Sequence, residues 1–211
     1  KPTITAYTIS LSNPTKMMQD AKSKSDYPIL KIKLGGQDDE KCIKAVREGS
    51  PNSRIIVDAN EGWNIESYNY LVPIFKSIGV ELIEQPFPSN KDHLLKNLDR
   101  KIPICADESC HDVKSLEKLM GLYDYINIKL DKTGGLTEAI NLLKAAKKSG
   151  FKIMLGCMVG TSLAMAPALL LSGECDIVDL DGPLLLKKDR PNPIRYDNFL
   201  AFPISEGLWG V

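Results

Sequence analysis

Eight short stretches rich in β-branched residues recur along the chain, at residues 4–10, 29–34, 54–60, 81–86, 102–108, 125–130, 152–158 and 177–181. Their composition and spacing read as strands. Between them run amphipathic segments such as 39–47, 65–78, 114–119, 136–149 and 162–171, with breakers at Gly49, Gly79, Gly121, Gly150 and Gly173. These read as helices. Eight parallel strands, each followed by a helix, is the count at which a sheet closes on itself, so the expected fold is α/β: a (β/α)8 barrel of TIM type, one domain over residues 1–211. A doubly wound open sheet shows the same alternation but usually carries a Gly-rich fingerprint after its first strand. The sequence has none, and Gly35-Gly36 simply lets the chain leave a strand.

The strand ends carry the chemistry. In order they read Lys31-Ile32-Lys33, Asp58-Ala59-Asn60, Glu84-Gln85-Pro86, Asp107-Glu108-Ser109, Lys129 and Asp179-Leu180-Asp181. Charged groups avoid apolar surroundings unless paired or metal-bound, and catalytic groups of such barrels come from the C-terminal strand ends. One shared polar site is expected, and with it an enzyme.

Asp58, Glu84 and Asp107 end three consecutive strands and would sit side by side. Three carboxylates that close repel unless a hard cation neutralises them. An all-oxygen set favours Mg²⁺, one per site, with Mn²⁺ as a substitute. The alternative is that each acid pairs with a barrel lysine in a structural network. Lys31 and Lys33 lie two apart on one strand and face the interior together. Lys129 comes four strands later, roughly opposite Lys33. Ammonium groups held near each other and near a cation have depressed pKa values, as a lysine base requires.

Composition excludes other classes. The 27 basic and 27 acidic residues cancel, without long runs of like charge, so neither nucleic acid nor a membrane surface is an expected partner. Five cysteines, at 42, 105, 110, 157 and 175, show no zinc-type spacing and no disulfide-scaffold density, which fits a reducing cytoplasm. No stretch approaches the roughly 18 apolar residues of a membrane span. The chain starts at Lys1 without a methionine and is expected to be one domain of a longer protein.

Taken together, Lys-Ile-Lys-Leu-Gly from Lys31, Val-Asp-Ala-Asn-Glu-Gly-Trp from Val57, Ile-Glu-Gln-Pro from Ile83, Ala-Asp-Glu-Ser-Cys-His from Ala106, Asn-Ile-Lys-Leu from Asn127, Gly-Cys-Met from Gly156 and Asp-Leu-Asp-Gly-Pro from Asp179 make the chain resemble the muconate-lactonizing subgroup of the enolase superfamily. Within it the dipeptide epimerases are most similar. The resemblance implies that Asp58, Glu84 and Asp107 hold Mg²⁺, that Lys33 and Lys129 are the two bases on opposite faces of the α-carbon, and that Lys31 helps stabilise the enolate. It also implies that Asp179 and Asp181 bind the free ammonium of an Ala-Xaa dipeptide, with a structural pairing to Lys152 or Lys187 as the alternative.

Asn60, Cys157 and Met158 are further substrate-contact candidates, and Glu108 is expected to support the Lys129 side. Asp131 stands where the family often has an apolar residue. A carboxylate there would disfavour glutamate, so small or neutral Xaa, such as Ala-Ala, is expected. L-Ala-D/L-Glu epimerisation, N-acylamino acid racemisation, o-succinylbenzoate synthesis and cycloisomerisation are the rival reactions, and a barrel that only binds a ligand is the rival of another class. His93 and His111 read as isolated surface residues. Residues 191–211 are expected to return to an N-terminal capping domain absent from this chain and to be partly unsupported without it. Homo-oligomers are common in the family, but nothing in the sequence marks an interface.

Overall fold

The computed structural model describes residues 1–210. Eight parallel strands follow one another around a single sheet in chain order: β2 (Tyr7–Ile9), β3 (Ile29–Lys33), β4 (Arg54–Asp58), β5 (Val80–Glu84), β6 (Ile104–Ala106), β7 (Tyr125–Ile128), β8 (Lys152–Leu155) and β9 (Ile177–Val178). The sheet closes on itself where Ala6 N donates to Val178 O at 2.8 Å. The barrel expected from the alternation is therefore present.

Its helices are α1 (Pro14–Ser23), α2 (Asp39–Gly49), α3 (Ile65–Ile78), the short α4 (Leu116–Leu119) and α5 (Leu130–Thr133), α6 (Leu136–Lys148) and α7 (Ser162–Leu169). Local chemistry sets their ends. Asn13 accepts from Lys16 N at 2.9 Å to cap α1, Asn64 accepts from Ser67 N at 2.8 Å to cap α3, and Gly79, at φ 84°, turns the chain out of α3 in the left-handed conformation. A 3₁₀ segment, Ser89–Asn97, replaces a regular helix after β5.

Strand periodicity builds the interior in layers. Ala6, Ile29, Ile56, Leu82, Cys105, Met154 and Ile177, with Tyr125 against them, form one apolar cluster inside the barrel. Two residues further along each strand, on the same face, stand Thr8, Lys31, Asp58, Glu84, Asp107, Asn127, Gly156 and Asp179. A polar ring therefore caps an apolar plug at the C-terminal end. Alternate residues such as Leu30, Ile32, Val57 and Ile83 point outward into the larger core shared with the helices.

Two expectations change. The stretch 4–10 is not one strand: β1 (Thr3–Ile4) leaves the barrel to pair antiparallel with β11 (Leu200–Ala201), which pairs with β10 (Tyr196–Asp197). Val211 lies outside the described residues, and the rest of the tail, residues 191–210, is also not loose. Its β10–β11 hairpin is held by β1, Ile194 N donates to Ser162 Oγ at 2.9 Å, and Leu208 is fully buried.

Candidate active site

Thr8, Lys31, Lys33, Asn60, Asp107, Glu108, Lys129, Lys132, Cys157, Met158, Asp179 and Asp181 line one cavity of about 280 Å³ at the C-terminal end of the barrel. Asp58 and Glu84 are buried behind that lining, each within 3.2 Å of Lys31 Nζ, and their strands pair in register there. One oxygen from each of Asp58, Glu84 and Asp107 can be chosen so that all lie within 4.8 Å of one another.

Three carboxylates so placed push against each other. Burial, and next the charge of Asp58, raise Glu84 to about 7. Asp58 moves the other way, because Lys31 and Lys33 outweigh its burial. Asp107 falls well below the usual carboxylate range, its burial overcome by Lys132 and Lys129. A buried trio of carboxylate oxygens in which one acid resists ionising is a donor set that suits a hard divalent cation.

The lysines fill the gaps between the acids. Lys31 Nζ lies 3.2 Å from Asp58 Oδ2, 2.8 Å from Glu84 Oε2 and 3.0 Å from Asp179 Oδ2. Lys33 Nζ lies 2.7 Å from Asp58 Oδ2 and donates to Asn60 Oδ1 at 3.0 Å. Lys129 pairs with Asp107 Oδ2. The ion-pair network and the acidic cluster, posed as alternatives from the sequence, are thus the same group of residues.

With only carboxylates and other lysines around them, Lys31 and Lys129 stand above the usual lysine value. Burial pulls Lys31 and Lys129 down, but Asp179, Glu84 and Asp58 hold Lys31 well up, and Asp107 and Glu84 hold Lys129 up. The physical reason is direct contact: each ammonium lies on a carboxylate, and that attraction exceeds the repulsion between lysines. A divalent cation on the same carboxylates would take up part of this charge and work in the expected direction.

Asp179 and Asp181 are both buried at the seam between the last strand and the first. Asp181 Oδ2 accepts from Thr8 N at 2.6 Å, and Leu180 N donates to Thr5 Oγ1 at 2.8 Å. Burial and then Asp179 raise Asp181 to about 7. Asp179 pairs with Lys31 rather than with Lys152 or Lys187, and its Oδ1 is buried without a hydrogen-bond partner.

Other candidates divide. Asn60, Cys157 and Met158 line the cavity. Glu108 does too, but it accepts from Asn60 Nδ2 at 3.4 Å, and so stands behind Lys33, not Lys129. Asp131, in the first turn of α5, is exposed and outside the cavity lining, and the helical turn there brings Lys132 inward. His93 and His111 are exposed and do not line the cavity.

Sequence reasoning missed the residues behind the acids. Lys132 Nζ lies 2.6 Å from Asp107 Oδ1 and donates to Asn127 O at 3.0 Å. Asn127 Nδ2 donates to Glu84 Oε1 at 2.7 Å, and Gln85 Oε1 accepts from Asp107 N at 2.9 Å. Their signal was weak but present: Asn127 and Gln85 are polar residues at or beside a strand end, and Lys132 follows one within the short helix α5.

The family model described as "Enolase C-terminal domain-like" matches residues 15–198, and the chain belongs to that family. Among its relatives, a Pseudoalteromonas protein named N-acetyl-D-glutamate racemase is 47% identical over 98% of this chain and 66% of its own length. The L-Ala-D/L-Glu epimerase of Escherichia coli (strain K12) is 42% identical over 88% of this chain and 59% of its own. A solved enolase family member from Agrobacterium tumefaciens, described as having homology to dipeptide epimerases and as bound to sodium and L-Ala-L-Glu, superposes with TM-score 0.97 at 48% identity, covering 100% of this chain and 64% of that one. The chain thus spans 59–66% of the length of these relatives. Among the described residues no helix is long and apolar enough to cross a membrane.

Proposed function

We propose that this chain is the catalytic barrel of a Mg²⁺-dependent isomerase that inverts the α-carbon of the second residue of an Ala-Xaa dipeptide. The observation that carries the reading is the placement of Lys33 and Lys129. They stand on strands four apart in a ring of eight, each on an outer member of one acidic cluster, facing one cavity.

Asp58, Glu84 and Asp107 would hold the metal, which when bound supplies positive charge beside the substrate's carboxylate and lowers the cost of charge developing there. Lys33 and Lys129 are placed to take a proton from one face of the α-carbon and return one to the other. Lys31, enclosed by three carboxylates, keeps a fixed positive charge at the floor of the site. Asp181 and the unpartnered Oδ1 of Asp179 offer acceptors to the dipeptide's ammonium.

With Asp131 outside the cavity, the reason for disfavouring glutamate goes. The relatives at 47% and 42% identity are named for glutamate compounds. Ala-Glu therefore becomes the leading substrate, ahead of Ala-Ala. A second reading, racemisation of an N-acylated glutamate, is favoured by the name of the first relative but gives the Asp179–Asp181 pair no ammonium to bind. Residues 1–211 are read as one catalytic barrel domain of a cytoplasmic enzyme.

The test is proton NMR of the full-length protein with Mg²⁺ in deuterated water, against Ala-Glu, Ala-Ala and N-acetylglutamate. Deuterium at the second residue's α-position, with the other diastereomer appearing, supports epimerisation. Exchange confined to N-acetylglutamate supports the racemase, and exchange in none of them removes both.

A further inference from the structure

We infer that Gln85 is the positioning residue that fixes Asp58, Glu84 and Asp107 relative to one another; the inference rests on reading those three carboxylates as a metal site. Gln85 follows Glu84 at the end of β5, is fully buried, and has φ 36°. A non-glycine residue keeps a left-handed backbone only where its surroundings over-determine it. They do so here on both sides.

Gln85 N donates to Cys105 O on β6 at 2.9 Å, while Glu61 N, in the loop that leaves Asp58, donates to Gln85 O at 2.9 Å. Ala59 N, directly after Asp58, donates to Glu84 O at 3.0 Å. The backbone at 84–85 is therefore fastened to the chain carrying each of the other two acids.

The side chain makes the second fastening. Its Oε1 accepts from Asp107 N at 2.9 Å and from Ser109 N at 3.2 Å. Its Nε2, with two hydrogens to give, lies within hydrogen-bond distance of three acceptors, Ser109 Oγ at 2.8 Å, Phe87 O at 2.9 Å and Tyr123 OH at 3.0 Å. An amide is suited to this, since one end accepts from two N–H groups of the 107–109 loop while the other reaches Phe87, Ser109 and Tyr123. Gln85 does not line the cavity and touches none of the carboxylate oxygens, so its effect passes through the acids it holds. Such outer partners typically change metal affinity by about 10–100-fold when removed.

The test is calorimetric titration of Mg²⁺ into the full-length protein as wild type, Gln85→Met, Gln85→Gly and Tyr123→Phe. Glycine accepts the left-handed backbone freely, so Gln85→Gly removes only the side-chain grip. Both Gln85 variants are expected to bind Mg²⁺ about 10–100-fold more weakly, with turnover recovering at raised Mg²⁺. Tyr123→Phe, which cuts one anchor at the far end of the amide, is expected to lower Tm and leave Mg²⁺ affinity unchanged.

A folded Gln85 variant with wild-type Mg²⁺ affinity overturns the proposal. If neither variant folds, hydrogen exchange on the wild type decides: Asp107 and Ser109 amides as protected as the strands support the grip, and exchange at exposed-loop rates overturns it. A wild type that takes up no Mg²⁺ overturns the metal reading, and the proposal falls with it.

Discussion

Asn127 donates from Nδ2 to Glu84 Oε1 across 2.7 Å, and the neighbouring strand makes room for it by presenting Gly156. A Cβ at 156 would stand 2.5 Å from Asn127 Oδ1 and 2.7 Å from its Nδ2. Gly156→Ala must therefore displace the amide that steadies Glu84. The expected cost is about 1–3 kcal/mol of stability, as for other overpacked interiors, together with weaker Mg²⁺ binding. Denaturant unfolding and a Mg²⁺ titration check the two effects separately.

The two lysines predict a stereochemical signature. Lys33→Ala and Lys129→Ala should each lower epimerisation by about 10²–10⁴-fold. Each should retain α-proton exchange in one diastereomer only, the opposite one in the two variants. NMR in deuterated water reads this directly, and loss of exchange in both diastereomers from either variant would count against a base on each side.

Asp181 predicts a pH dependence. Its carboxyl is raised from 3.8 to about 7 by burial and by Asp179. Between those values the folded chain holds a proton that the unfolded chain has released. Its contribution to stability is therefore fully present below 3.8 and is lost as pH rises through about 7. Ligand binding runs the other way, since only the ionised group attracts an ammonium. The KM for Ala-Glu should fall as pH rises toward 7 and then level off, and Asp181→Asn should remove that inflection from the profile.

Asp131 predicts the absence of an effect. Because it is exposed and outside the cavity, Asp131→Asn should change the ratio of kcat/KM for Ala-Glu over Ala-Ala by no more than about twofold, as expected of a surface substitution. A shift of tenfold toward Ala-Glu would restore the specificity role that its position in the sequence suggested.

The barrel and the acidic cluster were legible because both follow from the period of a strand. Alternation places Ile56 and Asp58, or Leu82 and Glu84, on one face, and charge at the end of an apolar run marks which end is open. What escaped depended on angles instead. Whether Asp131 or Lys132 faces the cavity turns on how α5 leaves β7, which spacing does not encode. Trp63 Nε1 donates to Asp39 Oδ2 at 2.8 Å, and Gly35 N and Gly36 N donate to the same carboxylate, so the Gly pair is part of a clasp between two loops. Partners so far apart in the chain cannot be matched from local pattern. The break of the first strand between two sheets was hidden likewise, because 4–10 is uniformly strand-like and only β11 diverts its start.

The seam of the barrel sets the two halves of the site apart. Asp58, Glu84 and Asp107 belong to three adjacent inner strands, whereas Asp179 and Asp181 lie where the last strand meets the first, held by Thr5, Thr8 and the Ala6–Val178 bond. The two groups meet at one side chain, since Lys31 Nζ lies 3.2 Å from Asp58, 2.8 Å from Glu84 and 3.0 Å from Asp179. A codon changed at Asp179 is therefore felt across the ring by the acids of the distant strands, whereas one changed at Asp181 leaves that shared ammonium its partners.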